Sequence, residues 1–310
     1  MIEAVGVSKY YGARRALSDV SFSIQAGEVV GFLGLNGAGK TTVLKVMCGL
    51  LVPSSGKVTV DGVDGIEEPR ELRKRIGFLP DRPPLHPEMT VRQMVSYAAR
   101  LCGLPAERVS ARVDEVLLLC GIADVADDLI EWLSHGYRQR VGIAIAVAHE
   151  PKLVVLDEPI SGLDPAQIVA MRGLIRGLKE KHTVLISSHI LSEISHTCDR
   201  ILVLHQGRVV AQGNEATLAA GVNPLVEIVA RGRLSDADHA YFALLEGVSE
   251  IEAQPAGEGL LRLRARLASN AARELLVASV VQRGFGVRSV TDAEIGLESV
   301  FLKLTKGGEA

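Results

Sequence analysis

The chain has 310 residues with 34 basic and 37 acidic side chains, a formal net charge of -3 and no segregated basic run. Nothing in that balance points to nucleic acid, which favours a basic stripe, and the length predicts one large domain plus a smaller one. No run approaches the ~18 apolar residues of a membrane span, and the N-terminal MIEAVGVSKYYG lacks a signal-peptide core, so a cytosolic protein is expected. Its four cysteines, Cys48, Cys102, Cys120 and Cys198, have no metal-ligand spacing and sit in apolar sequence. They are expected to be reduced, buried thiols.

Residues 2–7 and 19–24 alternate or run apolar, as short strands do. VVGFL at 29–33 is continuously apolar and ends before Gly34, a buried strand followed by a turn. A helix is expected at 41–50 and a strand at 76–80. DRPPLHPEMT, 81–90, is too proline-rich to be anything but a loop. Helical periodicity follows at 91–102 and 107–120. Behind LSHGYRQR, 133–140, the apolar VGIAIAVA carries a helix to about 149. LVVLDEP at 153–159 reads as a buried strand with two carboxylates at its end. A helix at 166–180, a strand at 183–189, a short helix at 190–197 and a hairpin turning on Gln206-Gly207 complete the larger part. The pattern changes near GVNP at 221. Beyond it LVEIVA, a helix at 236–245, SEIEA, LLRLRA, a helix at 270–283, VRSVT and a last helix at 297–305 give the order βαββαβ. That order fits a small ferredoxin-like α+β layer.

GLNGAGKTT, residues 34–42, fits G-x-x-x-x-G-K-[ST] between a strand and a helix. Glycines at Gly34, Gly37 and Gly39 let the backbone of Leu35, Asn36 and Ala38 wrap close to phosphates. Successive N–H groups and the helix mouth supply positive potential. Lys40 is set to reach the β- and γ-phosphates and Thr41 to ligate Mg²⁺, a hard cation that prefers oxygen. Asp157, after an apolar strand, suits the metal's water shell. Glu158 is expected to point to the opposite side of an extended chain, where it can deprotonate a water. His189 ends another apolar strand, where ligands bind in parallel α/β sheets. LSHGYRQR opens its helix with Ser134, His135 and Gly136, poor helix-interior residues, so the mouth is suited to an anion.

Together these residues resemble the ATP-binding subunit of ABC transporters, over residues 2 to about 217. GLNGAGKTT looks like the Walker A loop, Thr42 included; LVVLDEP looks like Walker B with its catalytic glutamate. SGLD at 161–164, ending in Asp164, resembles the D-loop, His189 the switch histidine, and Tyr11 the aromatic that stacks on adenine. LSHGYRQR resembles the signature motif, commonly LSGGQ. The resemblance implies an α/β P-loop cassette at 1–220, with a mixed sheet core and a helical subdomain at about 82–150, and a C-terminal α+β accessory domain at 221–310. It implies ATP and Mg²⁺ as ligands and two chains paired head to tail, Ser134 and Gly136 facing the partner's ATP. It implies an exporter whose separately encoded permease anchors the cassette to the inner face of the cell membrane. His135 and Tyr137 depart from the family pattern, and so does Asp81, where the family carries Gln. Asp81 has two readings, a metal-facing oxygen or a cap on the proline-rich turn.

Two other classes compete. Ribosome- or DNA-acting relatives carry paired cassettes or long coiled coils, and here each motif occurs once with no sustained heptads. A non-hydrolysing scaffold is opposed by Glu158 and His189, and only Asp81 favours it.

Overall fold

The computed structural model describes residues 1–220, 225–257 and 259–293. GVNP at 221–224 and the helix expected at 297–305 lie outside those residues. The chain divides into two compact units, the first ending at Asn214 and the second beginning at Glu215.

The first unit begins with β1 (Ile2–Tyr11), β2 (Arg14–Ile24), β3 (Val29–Leu33) and α1 (Lys40–Met47). Then come β4 (Ser55–Val60), β5 (Val63–Asp64), α2 (Pro69–Lys74) and β6 (Ile76–Leu79). Three helices follow, α3 (Val91–Leu101), α4 (Ala106–Leu119) and α5 (His135–Val147), packed against one another. The unit closes with β7 (Leu153–Asp157), α6 (Pro165–Leu178), β8 (Thr183–Ser188), α7 (Leu191–Thr197), β9 (Arg200–His205) and β10 (Arg208–Gly213).

Two sheets result. An antiparallel one has the order β2-β1-β4-β5; a mixed one has the order β10-β9-β3-β8-β7-β6, parallel except for β10. The continuously apolar runs are the central strands: every residue of β3, β7 and β8 is buried. The core lies between the sheets. Val20 and Phe22 meet Phe32, Val155 and Leu185, with Val43 and Met47 of α1. Phe22 and Phe32 pack edge to face at 5.1 Å. The β9–β10 turn takes positive φ at both Gln206 (46°) and Gly207 (76°), the geometry a two-residue hairpin needs. Because β3, β7 and β8 are parallel neighbours, the loops leaving their carboxyl ends emerge side by side. That brings together the segments after Leu33, Asp157 and Ser188.

The second unit contains α8 (Glu215–Ala220), β11 (Leu225–Arg231), α9 (Asp236–Ala243), β12 (Val248–Pro255), β13 (Leu260–Leu267), α10 (Asn270–Gln282) and β14 (Gly286–Ala293). Its sheet is antiparallel throughout, in the order β12-β13-β11-β14. With a helix after its first and third strands, this is the split βαβ arrangement of ferredoxin-like layers. The period-2 alternation of β13 buries Leu261, Leu263, Ala265 and Leu267, while Arg262, Arg264 and Arg266 take the other face. Ile228, Phe242, Leu276 and Val280 complete a core separate from that of the first unit.

The cysteine expectation needs correction. Cys48 and Cys120 are buried and Cys198 is partly so, but Cys102 is exposed. It caps the carboxyl end of α3, where the chain turns out to the surface.

Candidate active site

The loop between β3 and α1 is built by glycines that nothing else could replace. Gly39 is the N-cap of α1 with φ 108°, and a Cβ there would lie 2.9 Å from the Ala16 carbonyl oxygen. A Cβ on Gly34 would come within 2.6 Å of the Leu204 carbonyl oxygen. No side chain caps α1, so the helix mouth presents its N–H groups to whatever binds in front of it.

Lys40 is nearly buried, 7% exposed. Its Nζ donates to the Gly34 carbonyl at 2.7 Å and lies 3.3 Å from Glu158 Oε1. The other oxygen, Glu158 Oε2, lies 2.9 Å from His189 Nδ1. An ionised carboxylate only accepts, so Nδ1 carries the proton of this bond. The extended backbone expected at Glu158 is not what forms. β7 ends at Asp157, and Glu158 takes φ 50°, a left-handed conformation that turns the chain out of the strand. Its amide is held by Ser187, at 3.1 Å from Oγ and 3.2 Å from the carbonyl oxygen. That turn puts one carboxylate between the lysine that opens α1 and the histidine that follows β8.

Asp157 is 2% exposed and accepts from Ser187 Oγ at 2.6 Å. Burial pushes its carboxyl above the ordinary range; hydrogen bonds from Ser187 and Thr41 act the other way, and the charges of Glu158 and Asp81 add to the rise. A buried acid beside a threonine hydroxyl offers hard oxygens of the kind a small divalent cation takes, although among the described residues no three acidic, His or Cys side chains converge on one point.

These groups line an open cleft of about 1160 Å³. Leu35, Asn36, Gly37, Gly39, Lys40, Thr41 and Thr42 form one wall, with Tyr11, Asp81, Asp157, Glu158 and His189 around it. Gly34 and Ala38 shape the loop from behind; Ala38 is buried in the core between the sheets. The Asp81 carboxylate forms no hydrogen bond with the turn that follows it. Arg14 and Arg15 also reach the cleft, from the start of β2, and no sequence motif singled them out. Ser187, at the end of β8, braces Asp157 and Glu158 without a motif that marks it in the sequence.

Three expected residues stand elsewhere. Ser134 is the N-cap of α5, its Oγ accepting from the Tyr137 amide at 3.4 Å. Gly136 is buried, and a Cβ on it would lie 2.9 Å from the Gln167 side chain. Asp164 is the N-cap of α6 and accepts from the Gln167 amide at 2.8 Å. None of the three lines the cleft.

Comparison with known proteins bears on this geometry. A family profile described as "ABC transporter" matches residues 17–161. The bacitracin transport ATP-binding protein BcrA of Bacillus licheniformis is 32% identical over 99% of this chain and 98% of its own. The linearmycin resistance ATP-binding protein LnrL of Bacillus subtilis is 30% identical over 98% of each. Among solved structures, a dimeric ATP-binding cassette in a post-hydrolysis state, bound to ADP and Pi, superimposes with a TM-score of 0.63 at 27% identity. The match covers 69% of this chain and 98% of that one.

Proposed function

The chain belongs to the ATP-binding proteins of ABC transporters, and on that premise we propose that it powers an exporter, closing head to tail with a second copy beneath a separately encoded permease. It is an ABC ATPase that couples ATP hydrolysis to transport. The observation that carries the mechanism is the run of contacts Lys40–Glu158–His189 beside the glycine loop.

Phosphate oxygens suit Lys40 and the open amides of α1, and Tyr11, which lines the cleft, is assigned the stacking on adenine. Once Lys40 is engaged by phosphate, Glu158 keeps His189 as its partner. Its carboxylate then takes a proton from the attacking water, while Lys40 and the loop amides hold the charge that develops on the transferred phosphoryl group. Thr41 and Asp157, with Asp81, are the oxygens that would hold Mg²⁺, which when bound neutralises phosphate charge.

Ser134 and Gly136 lie outside their own chain's cleft. The α5 mouth has no acidic residue in its first turn, which suits the γ-phosphate of a nucleotide bound by a partner chain. Asp164 belongs to the same contact zone. The dimeric relative supports this pairing, and export is supported by two relatives named for antibiotics, BcrA for bacitracin transport and LnrL for linearmycin resistance. No helix among the described residues is long and apolar enough to cross a membrane. Among its described residues the second unit carries no set with evident chemistry, and it is assigned an accessory part.

Mixing chains tests the pairing. Ser134→Arg and Lys40→Ala should each be inactive, and the mixture should recover one working site per mixed pair. Mixed pairs that form without regaining ATPase activity would sink the proposal.

A further inference from the structure

His135 and Gln139 stand one turn apart on α5 and so share a face of the helix. Each reaches a backbone carbonyl on a different loop. His135 Nε2 lies 3.2 Å from the Ser161 carbonyl oxygen; a carbonyl only accepts, so the ring donates. Gln139 is 2% exposed and its Nε2 donates to the Asp81 carbonyl at 3.4 Å. Both loops border the cleft, since Asp81 and Ser161 line it.

The loop that His135 holds is the one that carries Glu158. Ser161 N bonds back to the Glu158 carbonyl at 3.2 Å, and Leu163 N to that of Ile160 at 3.4 Å. Gly162 takes φ 75°, and a Cβ on it would meet His135 Nε2 at 3.5 Å, so the imidazole lies against the turn itself. The backbone therefore runs as a short braced path from the α5 mouth to the carboxylate proposed as general base.

We propose that His135 is a positioning residue, which sets the turn bearing Glu158 by donating to the Ser161 carbonyl and, with Gln139, makes the α5 mouth and the hydrolytic edge of the same chain's cleft move as one body. On the head-to-tail reading Ser134 and Gly136 serve a partner's nucleotide, whereas the His135 ring donates to a carbonyl of its own chain. This second consequence, that an event at one nucleotide is felt at the other through His135, rests on the head-to-tail reading above. The inward bond itself does not.

One exposed hydrogen bond is a modest interaction, so its loss is expected to lower kcat by about three- to tenfold with KM for ATP little changed. His135→Met keeps bulk and removes the donor; His135→Gln restores a donor at similar reach. On the nucleotide-free full-length chain, hydrogen exchange at the Ser161 and Leu163 amides should quicken in His135→Met and return toward the parent rate in His135→Gln, with kcat following the same order. Unaltered exchange and kcat in His135→Met, or a Gln variant no better than Met, overturns the proposal. The chain on which His135 acts is read from mixed pairs of Ser134→Arg and Lys40→Ala chains. Adding His135→Met to the Ser134→Arg chain, which supplies Lys40 and Glu158, should slow the recovered turnover. Adding it to the Lys40→Ala chain should not. The reverse pattern would assign His135 to the partner's nucleotide and overturn the inward role. If the parent mixture recovers nothing, the head-to-tail reading fails, and exchange and kcat of the unmixed chains still decide the role of His135.

Discussion

The two ends of the same parallel strands carry equally polar clusters, put to opposite use. At the carboxyl ends, Lys40, Asp157, Glu158 and His189 surround an open cleft. At the amino ends, ahead of β6, β7 and β8, the polar groups close on the chain itself. Arg112, 4% exposed, donates to the Ala148 carbonyl at 3.1 Å and that of Val147 at 2.8 Å, a cation at the carboxyl end of α5. It also pairs with Glu115 at 2.7 Å, as does Lys181. Hydrogen bonds from Lys181 and Arg112 hold the Glu115 carboxyl down to about 2. At this end charges end on carbonyls or carboxylates of the same chain. At the other, Asp157 is buried among like charges and pushed upward. A charge paired within its own chain and closed off from the cleft is a brace; one beside the open cleft, whether paired as Lys40 and Glu158 are or held in an unfavourable setting as Asp157 is, is available to a ligand.

If that division is right, damage to the two ends should separate cleanly. Glu158→Gln removes the proton acceptor and keeps the shape. Hydrolysis should fall by roughly 10²–10⁴-fold while ATP binding persists, and the ATP-bound dimer should accumulate on size-exclusion chromatography. Arg112→Ala should do the reverse. Turnover per folded molecule stays near the parent value, and stability falls by about 3 kcal/mol, because buried carbonyls lose their donor and Glu115 loses a cation. Urea midpoints and single-site titration of active molecules measure the two quantities. A normal urea midpoint for Arg112→Ala with slowed hydrolysis would abolish the distinction between brace and site.

Asp81→Asn probes the cleft end more finely. Its side chain keeps its shape and loses its charge. If Asp81 faces the metal, the Mg²⁺ concentration for half-maximal ATPase activity should rise about severalfold, because a hard ion favours charged oxygen. ATP binding measured without metal should change less. An unchanged Mg²⁺ dependence would leave Asp81 as part of the loop alone, with its backbone carbonyl held by Gln139.

What was legible in the sequence follows the same division. The glycine loop could be read because its backbone geometry admits few residues, and β3, β7 and β8 because strands buried on both faces must be continuously apolar. Strand ends that meet in a parallel sheet then bring Lys40, Asp157, Glu158 and His189 together. The left-handed turn at Glu158 was not legible, since the preceding apolar run argues for extension through it. Arg14 and Arg15 enter the cleft from a hairpin remote in sequence, with no motif of their own. The Arg112 brace joins α4 to carbonyls 35 and 36 residues away, and backbone acceptors leave no trace in side-chain pattern. In the second unit, alternation gave the order of elements, whereas the central position of β11 and β13 is a matter of pairing between strands distant in sequence.

The smallest expected effect belongs to the braced end and concerns pH. Burial lowers the pKa of both His149 and His182 from the ordinary 6.5. His182 Nδ1 donates to the Pro151 carbonyl at 2.7 Å, so the neutral ring leaves Nε2 as an acceptor, buried and without a partner. A proton there would add charge near Arg112 and Lys181 with nothing to receive its hydrogen bond. The folded state therefore binds fewer protons than the unfolded state between the lowered pKa and 6.5. Stability is fully present above 6.5 and declines as pH falls through that window, at no more than about 1.4 kcal/mol per pH unit for each histidine. The raised carboxyls of Asp157 and Glu193 act in the opposite sense toward lower pH, so the total slope alone does not identify the source. His182→Asn does: its amide can keep the bond to Pro151 and cannot titrate. Thermal midpoints recorded from pH 7.5 to 5.5 should fall less steeply in that variant than in the parent, with ATPase activity at pH 7.5 unaltered. Equal slopes would mean that the histidines of this end are not buried as neutral braces.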